Sequence, residues 1–562
     1  MSVQQQPLPA DRRFPRSRSW AALGAGQKEG VRIGLLVLAL AAIGALVYGP
    51  HAVDGGFLGD SWTLREWYQL YPHADFFGTV GHFLELHTMQ TRPLNAVYRT
   101  ILNYSFGGDM GSWFVWQIAG NVLMSGSLYL LLRRLSLPPL DSALIAVLVL
   151  LFPAASSLRF WMAVSHAPIA ITFAIVGFLV ALAAFDAEGR KAKLLHALSL
   201  LLFVASLLLY EVALPVMLAS VLLYRFRVPW KTAARRWGID LLFLLPIALL
   251  VTRSEDAHSQ AQSDSGALAH LWKIVEKTPR LLGDQLLPLS GAEWVAVLAI
   301  AAIAGGGIWA LRSGTWPEES RPALRRYLFL LAAGLVVIAL GYSIYVPGID
   351  YYEPTMAGIA DRINAVPAFG WVFVLYGSIG ILATLVLGRR WRSLIPLGAT
   401  LLSAILVALW LPLIATESRN YVKGFEEGQR VLGMVRTAVP DPPPHTTIWT
   451  FGQPVEVANG VPIFGNTWDM TYSVQLMYGD RTIRSYVGFP GTYIECLATK
   501  LVPGGNASYP TASPPGSSAY ASDYGTVYFV DTVSGQFERI DSRGQCLQAL
   551  RTYRNSPAFP AE

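Results

Sequence analysis

Residues 194–224 read LLHALSLLLFVASLLLYEVALPVMLASVLLY, and the next segment carries Arg225, Arg227, Lys231, Arg235 and Arg236. A run this apolar belongs in a membrane; the question is how often it crosses. As one span of about 30 residues it would exceed the ~20 that a bilayer needs. It would also bury Glu211 and put the most basic segment of the chain outside. Positive charge collects in cytoplasmic loops. The run is therefore two short spans with an outer turn at Tyr210-Glu211, close to Pro215.

The same parity orders the rest. The N-terminal segment 1–32, with Arg12, Arg13, Arg16 and Arg18, stays in the cytoplasm, and the first span exits near residue 49. The apolar run after it has no convincing small-residue cleavage site and reads as an uncleaved signal anchor. Residues 50–112 form an outer loop, in which Trp62 to Leu70 and Phe76 to Leu86 have helical patterning and membrane-surface aromatics. Arg133-Arg134 and Arg190, Lys191, Lys193 both face inward, so two crossings fit between them and turn near Arg159-Phe160-Trp161 and His166. Residues 253–292 are a second outer loop with an interrupted amphipathic helix over 268–288. A third, 347–366, holds Asp350, Tyr351, Tyr352, Arg362 and Asn364. The count reaches about eleven spans and leaves the C-terminus outside.

Composition agrees. The chain is 53% hydrophobic and 14% charged over 562 residues, with mean hydropathy +0.41. That excludes a soluble globular protein and fits a polytopic helical membrane protein. The net charge of +6 needs no nucleic acid to explain it, since there is no zinc-finger spacing and no isolated basic domain. The chain divides into the N-terminal segment, a transmembrane domain over 33–415 and an extracytoplasmic domain over 416–562.

In that last domain, 417–438 reads as a helix closed by Pro440-Asp441-Pro442-Pro443-Pro444. Thr446–Phe451, Met470–Met477, Thr482–Val487 and Thr526–Val530 are β-prone, and Val533-Ser534-Gly535-Gln536 suits a hairpin turn. A small α/β or mainly β domain is expected. It contains both cysteines of the chain, Cys496 and Cys546. An oxidising compartment would favour a disulfide between them; free buried thiols are the alternative.

The ionisable groups follow the parity too. Asp60, Arg92, Arg159, His166, Glu211 and the Tyr351–Asn364 group all map to outer turns. Glu211 stands out, because a carboxylate in so apolar a run is costly unless paired or placed in a cavity. Arg159 and Arg362 are its candidate partners.

Gly59-Asp60-Ser61-Trp62 after the first span, Arg92-Pro93-Leu94, Tyr210-Glu211 with Pro215, and Tyr352 through Arg362, set in this topology, resemble the GT-C superfamily of integral membrane glycosyltransferases. The resemblance covers about residues 1–415. It implies inverting transfer of a sugar from a polyprenyl-phosphate donor to a lipid, glycan or protein acceptor, on the outer face of what is expected to be a bacterial inner membrane. By it Asp60 is the base. Arg92, Arg159 and Arg362 are donor-phosphate candidates, with His166 and Tyr352 beside them, and Glu211 orients an arginine or a sugar hydroxyl. A carboxylate can take the proton of an attacking hydroxyl, and arginines can hold a phosphate and offset leaving-group charge. Many members carry adjacent acids; here the second position is Ser61. No cofactor is required, and a divalent metal remains an option. Other classes compatible with the sequence are an O-antigen-type polymerase or ligase working through outer arginines and histidines, and a lipid-linked glycan transporter or flippase.

Overall fold

The computed structural model describes residues 27–71, 75–252, 266–287, 289, 291–313, 316–347, 352–465, 467–488, 494–503 and 521–554. Most of the basic N-terminal segment, together with Asp350 and Tyr351, lies outside the described residues. The chain is a helical membrane-type protein with a small C-terminal sheet domain.

Among the described residues, eight helices are long and apolar enough to cross a membrane: Gly30–Asp54, Met110–Arg134, Met162–Phe185, Gly189–Leu209, Glu293–Arg312, Glu318–Ser343, Pro367–Leu387 and Arg392–Ala438. Pro139–Leu150 is a shorter apolar helix. The 194–224 run is broken. Its first helix ends at Leu209, Tyr210 is extended, and a 3-10 turn over Glu211–Ala213 precedes two five-residue helices, Leu214–Leu218 and Ser220–Tyr224. Pro215 favours the break, although Pro246 and Pro412 lie inside unbroken helices. Pro215 has no N–H to give to the Glu211 carbonyl, and in a continuous helix its ring would crowd that carbonyl.

Between the first two long helices lie α1 (Asp60–Gln69), α2 (Phe76–Phe83) and α3 (Pro93–Phe106). Asp75 caps α2 by accepting from the Gly78 N–H at 2.7 Å, and Pro93 opens α3. The helices Arg321–Ser343 and Pro367–Leu387 pack backbone to backbone. A Cβ on Gly334 would lie 2.6 Å from the Gly370 carbonyl oxygen, so small residues set this approach.

Residues 417–438 are not a separate helix. They continue the last membrane-type helix as α4 (Ile395–Ala438), 44 residues long. The two domains therefore share one rod, and no flexible boundary falls near residue 416. A second difference concerns Met470–Met477, expected as β-prone. These residues lie in α5 (Thr467–Tyr478). The reason is topological. β1 (Thr447–Phe451) and β2 (Arg484–Gly488) pair in parallel, and a parallel pair needs a crossover, commonly helical. Met470, Ser473 and Val474 turn one face of that crossover inward. β3 (Val527–Asp531) pairs parallel to β1, and β4 (Phe537–Ile540) closes the sheet antiparallel through the turn at Gly535. The domain is thus α/β. Cys496 and Cys546 are joined, with their Cα atoms 6.0 Å apart.

The sheet domain is not a separate lobe. Phe57, Trp62, Leu102 and Trp113 share one buried cluster with Ile463, Phe464, Met470 and Val474.

Candidate functional site

At the end of the helix bundle that meets the sheet domain, Gly59 has φ +52°, a conformation that favours glycine. It turns the chain so that Asp60 opens α1 as an exposed carboxylate. There the helix dipole favours negative charge. The turn is fixed from below, where the Trp161 Nε1–H donates to the Leu58 carbonyl at 2.9 Å. From the sheet domain the Trp468 Nε1–H donates to Asp60 Oδ1 at 3.2 Å.

Arg92 precedes Pro93 at the start of α3 and grips Glu211 with both ends of its guanidinium. Nε donates to Oε2 at 2.7 Å and Nη2 to Oε1 at 2.5 Å. The guanidinium also lies 5.0 Å from the centre of the Tyr210 ring. Burial works against the Arg92 charge, but the Glu211 carboxylate outweighs it and holds the group above its ordinary value; Arg362 opposes. The costly carboxylate of the 194–224 run is thus paired with Arg92.

Two helical turns along α3, Arg99 is 1% exposed. It donates to the Met162 carbonyl at 3.2 Å, to the Ala163 carbonyl and to Ser165 Oγ at 3.4 Å. Its Nη2 lies 3.0 Å from His166 Nδ1. The same ring also faces the Ala163 carbonyl. Both His166 Nε2 and Arg99 Nε are buried and make no hydrogen bond among the described residues. Burial pushes Arg99 down to about 10, against the pull of Tyr98 and of the Asp60 carboxylate, which is within electrostatic reach. The Tyr210 ring closes the group, 5.0 Å from the His166 ring.

Arg362 comes from a 3-10 segment, Gly358–Asn364. Its Nη2 donates to the Tyr352 hydroxyl at 3.2 Å, and its guanidinium sits 5.1 Å from the centre of a Trp161 ring. The segment is pinned by the neighbouring Asp361, which accepts from the Ser156 N–H (2.5 Å) and Oγ (2.7 Å) and from the Ser157 N–H (2.9 Å) and Oγ (2.5 Å). Burial raises the Asp361 carboxyl above its ordinary value, although these four donors pull the other way.

Arg92, His166, Glu211, Tyr352 and Arg362 therefore fall in one group, with Asp60 at its rim. Arg159 does not join it. It is 3% exposed and donates to the carbonyls of Val149, Leu150, Phe152 and Ala155 at 2.8–3.0 Å. That arrangement caps the C-terminal end of Pro139–Leu150 with a cation. The sequence reading missed Arg99, although it lies seven residues after Arg92 and so on the same helical face. It also missed Asp361 and Trp468. Among the described residues, no three His, Cys, Asp or Glu side chains gather to hold a metal ion. Comparison with protein-family models and with curated proteins finds no match.

Proposed function

We propose that the chain is a GT-C-type membrane glycosyltransferase that moves a sugar from a polyprenyl-phosphate donor to an acceptor hydroxyl. In this reading about eleven spans place the N-terminus in the cytoplasm of a bacterium and the sheet domain outside its inner membrane. The observation that carries it is the pair of buried nitrogens, Arg99 Nε and His166 Nε2, that have no hydrogen-bond partner among the described residues. His166 is within electrostatic reach of Arg92 and Arg362 and packs on Tyr210, and Arg99 is within electrostatic reach of the exposed Asp60 carboxylate. Unsatisfied buried donors are costly, and such an arrangement suits an anion with several acceptor oxygens, such as a phosphate.

The chemistry follows. Asp60 accepts the proton of the acceptor hydroxyl. The hydroxyl oxygen bonds to the anomeric carbon as the bond from that carbon to the phosphate oxygen breaks, with inversion. Polyprenyl phosphate leaves with the electron pair, and Arg99, His166, Arg92 and Arg362 stabilise its charge. Glu211 keeps Arg92 extended toward the phosphate.

Binding of polyprenyl phosphate to the purified protein tests the reading. Arg99→Gln should weaken binding at least tenfold, roughly the worth of one charge-assisted contact. Arg159→Gln should leave the affinity of the folded fraction unchanged. Equal affinity in wild type and Arg99→Gln would remove the phosphate site. The arginine–histidine pairing also suits the polymerase-type alternative, and the importance of Asp60 separates the two.

A further inference from the structure

We infer that Trp468, carried by the C-terminal domain, is the platform on which a sugar ring of the acceptor stacks while its hydroxyl meets Asp60. The inference rests on the glycosyltransferase reading and narrows its acceptor to a glycan.

Trp468 reaches Asp60 from the other end of the chain, and its indole N–H points at the carboxylate. The bond uses only the edge of the ring. The side chain stays 42% exposed, whereas Trp62 and Trp161 beside the same turn are 9% and 2% exposed. This exposure does not come from a loose segment. Trp468 lies at the start of α5, and α5 is fastened to α1 and the sheet. Met470 and Val474 pack in one cluster with Phe57 and Trp62. Thr471 Oγ1 donates to the Ser485 carbonyl at 2.6 Å.

A second fastening lies one turn along α1. Glu66 is fully buried and pairs with Arg481 at 2.6 Å. The Arg481 guanidinium sits 4.8 Å from the centre of the Tyr71 ring. The carboxylate is buried while 36% of the Arg481 side chain is exposed, and the pair ties α1 to the segment that follows α5.

The result is a large apolar face held open beside a carboxylate. A membrane anchor would sit among apolar residues, but the exposed positions of α1 are Asp60 and Gln69. The ligand that fits combines a flat C–H face for the electron-rich indole with hydroxyls for Asp60. A pyranose ring has both in one small group, and an acyl chain has only the first. When the acceptor binds, a hydroxyl replaces the indole N–H at Asp60, which leaves that carboxylate free to take the hydroxyl proton.

The test uses the full chain in lipid nanodiscs and saturation-transfer NMR. The probes are the methyl β-glycosides of glucose, galactose, mannose and N-acetylglucosamine. At least one should bind wild type. Trp468→Ala should weaken it at least about tenfold through loss of the aromatic face. Trp468→Phe keeps a face and loses the N–H, so it should stay within about threefold of wild type. Asp60→Asn should still bind. Binding unchanged in Trp468→Ala, or no glycoside binding to wild type, would overturn the inference. So would Trp468→Phe losing as much as Trp468→Ala.

Consumption of the polyprenyl-phosphate sugar is followed in parallel. Donor turnover with an acceptor KM unmoved by Trp468→Ala would defeat the platform and leave the transferase standing. Glycoside binding through Trp468 without turnover of any donor would do the reverse.

Discussion

Replacing Glu211 with Gln keeps the shape of the side chain and removes the charge that holds Arg92. The native pair is bidentate, with 29% of the Arg92 side chain and 18% of the Glu211 side chain exposed. Unit charges about 4 Å apart at an effective dielectric of about 20 attract by roughly 4 kcal/mol. Desolvation takes back part of this. Exposed pairs are worth about 0–1 kcal/mol, and breaking a buried pair costs about 3–5 kcal/mol. This pair lies between those limits, so Glu211→Gln should lose about 2–3 kcal/mol. The neighbourhood makes the loss harder to absorb, because Arg92 then faces the Arg362 charge without a counterion. Arg92→Gln relieves that repulsion, and the double variant should be more stable than the two single losses add up to. The coupling should be about 1–2 kcal/mol. Unfolding by SDS in mixed micelles, followed by far-UV circular dichroism, measures all four proteins. Additive single effects within about 0.5 kcal/mol would refute the claim that these side chains act as a unit.

Topology and pH supply the remaining predictions. Single cysteines at positions 230 and 260, in a background lacking the native pair, should react with an impermeant reagent from opposite sides: 230 from the cytoplasm and 260 from outside. Labelling of 230 from outside would undo the turn at Glu211 as a membrane re-entry and the eleven-span count with it. Asp361 binds its proton more tightly in the folded chain than in the unfolded one. The stability it contributes is complete below its ordinary pKa of 3.8 and is lost as pH rises through the higher folded value. Plotted against pH, the stability difference between wild type and Asp361→Asn should therefore fall from that point upward. A difference independent of pH would show that the carboxyl is not shifted.

The parts of the fold that local chemistry determines were legible in the sequence. The arginines after Tyr224 call for a turn near Glu211, close to Pro215, and the chain breaks at Tyr210. Helical patterning over Trp62–Leu70 and Phe76–Leu86 is met by α1 and α2. Legibility fails where a distant neighbour decides. Met470–Met477 has β-prone residues, but a crossover between parallel strands requires a helix, and tertiary packing outweighs a weak propensity. Arg159 and Arg99 look alike in sequence, each an arginine among apolar residues. One is consumed by carbonyls at the end of the preceding helix, and the other retains a buried N–H without a partner among the described residues. Nothing local separates them. The contact between Trp468 and Asp60 spans 408 positions and leaves no trace in spacing or periodicity.

The most direct test of the account is transfer by Asp60→Asn. Asparagine keeps the size of the side chain and can still accept from the Trp468 N–H, but it cannot take a proton at neutral pH. The protein in proteoliposomes is offered a panel of labelled polyprenyl-phosphate sugars and a mixed glycan acceptor. Wild type should transfer at least one sugar. Asp60→Asn should transfer it about two to four orders of magnitude more slowly, with donor affinity and folding unchanged. Near-normal transfer by Asp60→Asn would contradict the account, remove Asp60 as the base and put the arginine-dependent polymerase chemistry in its place.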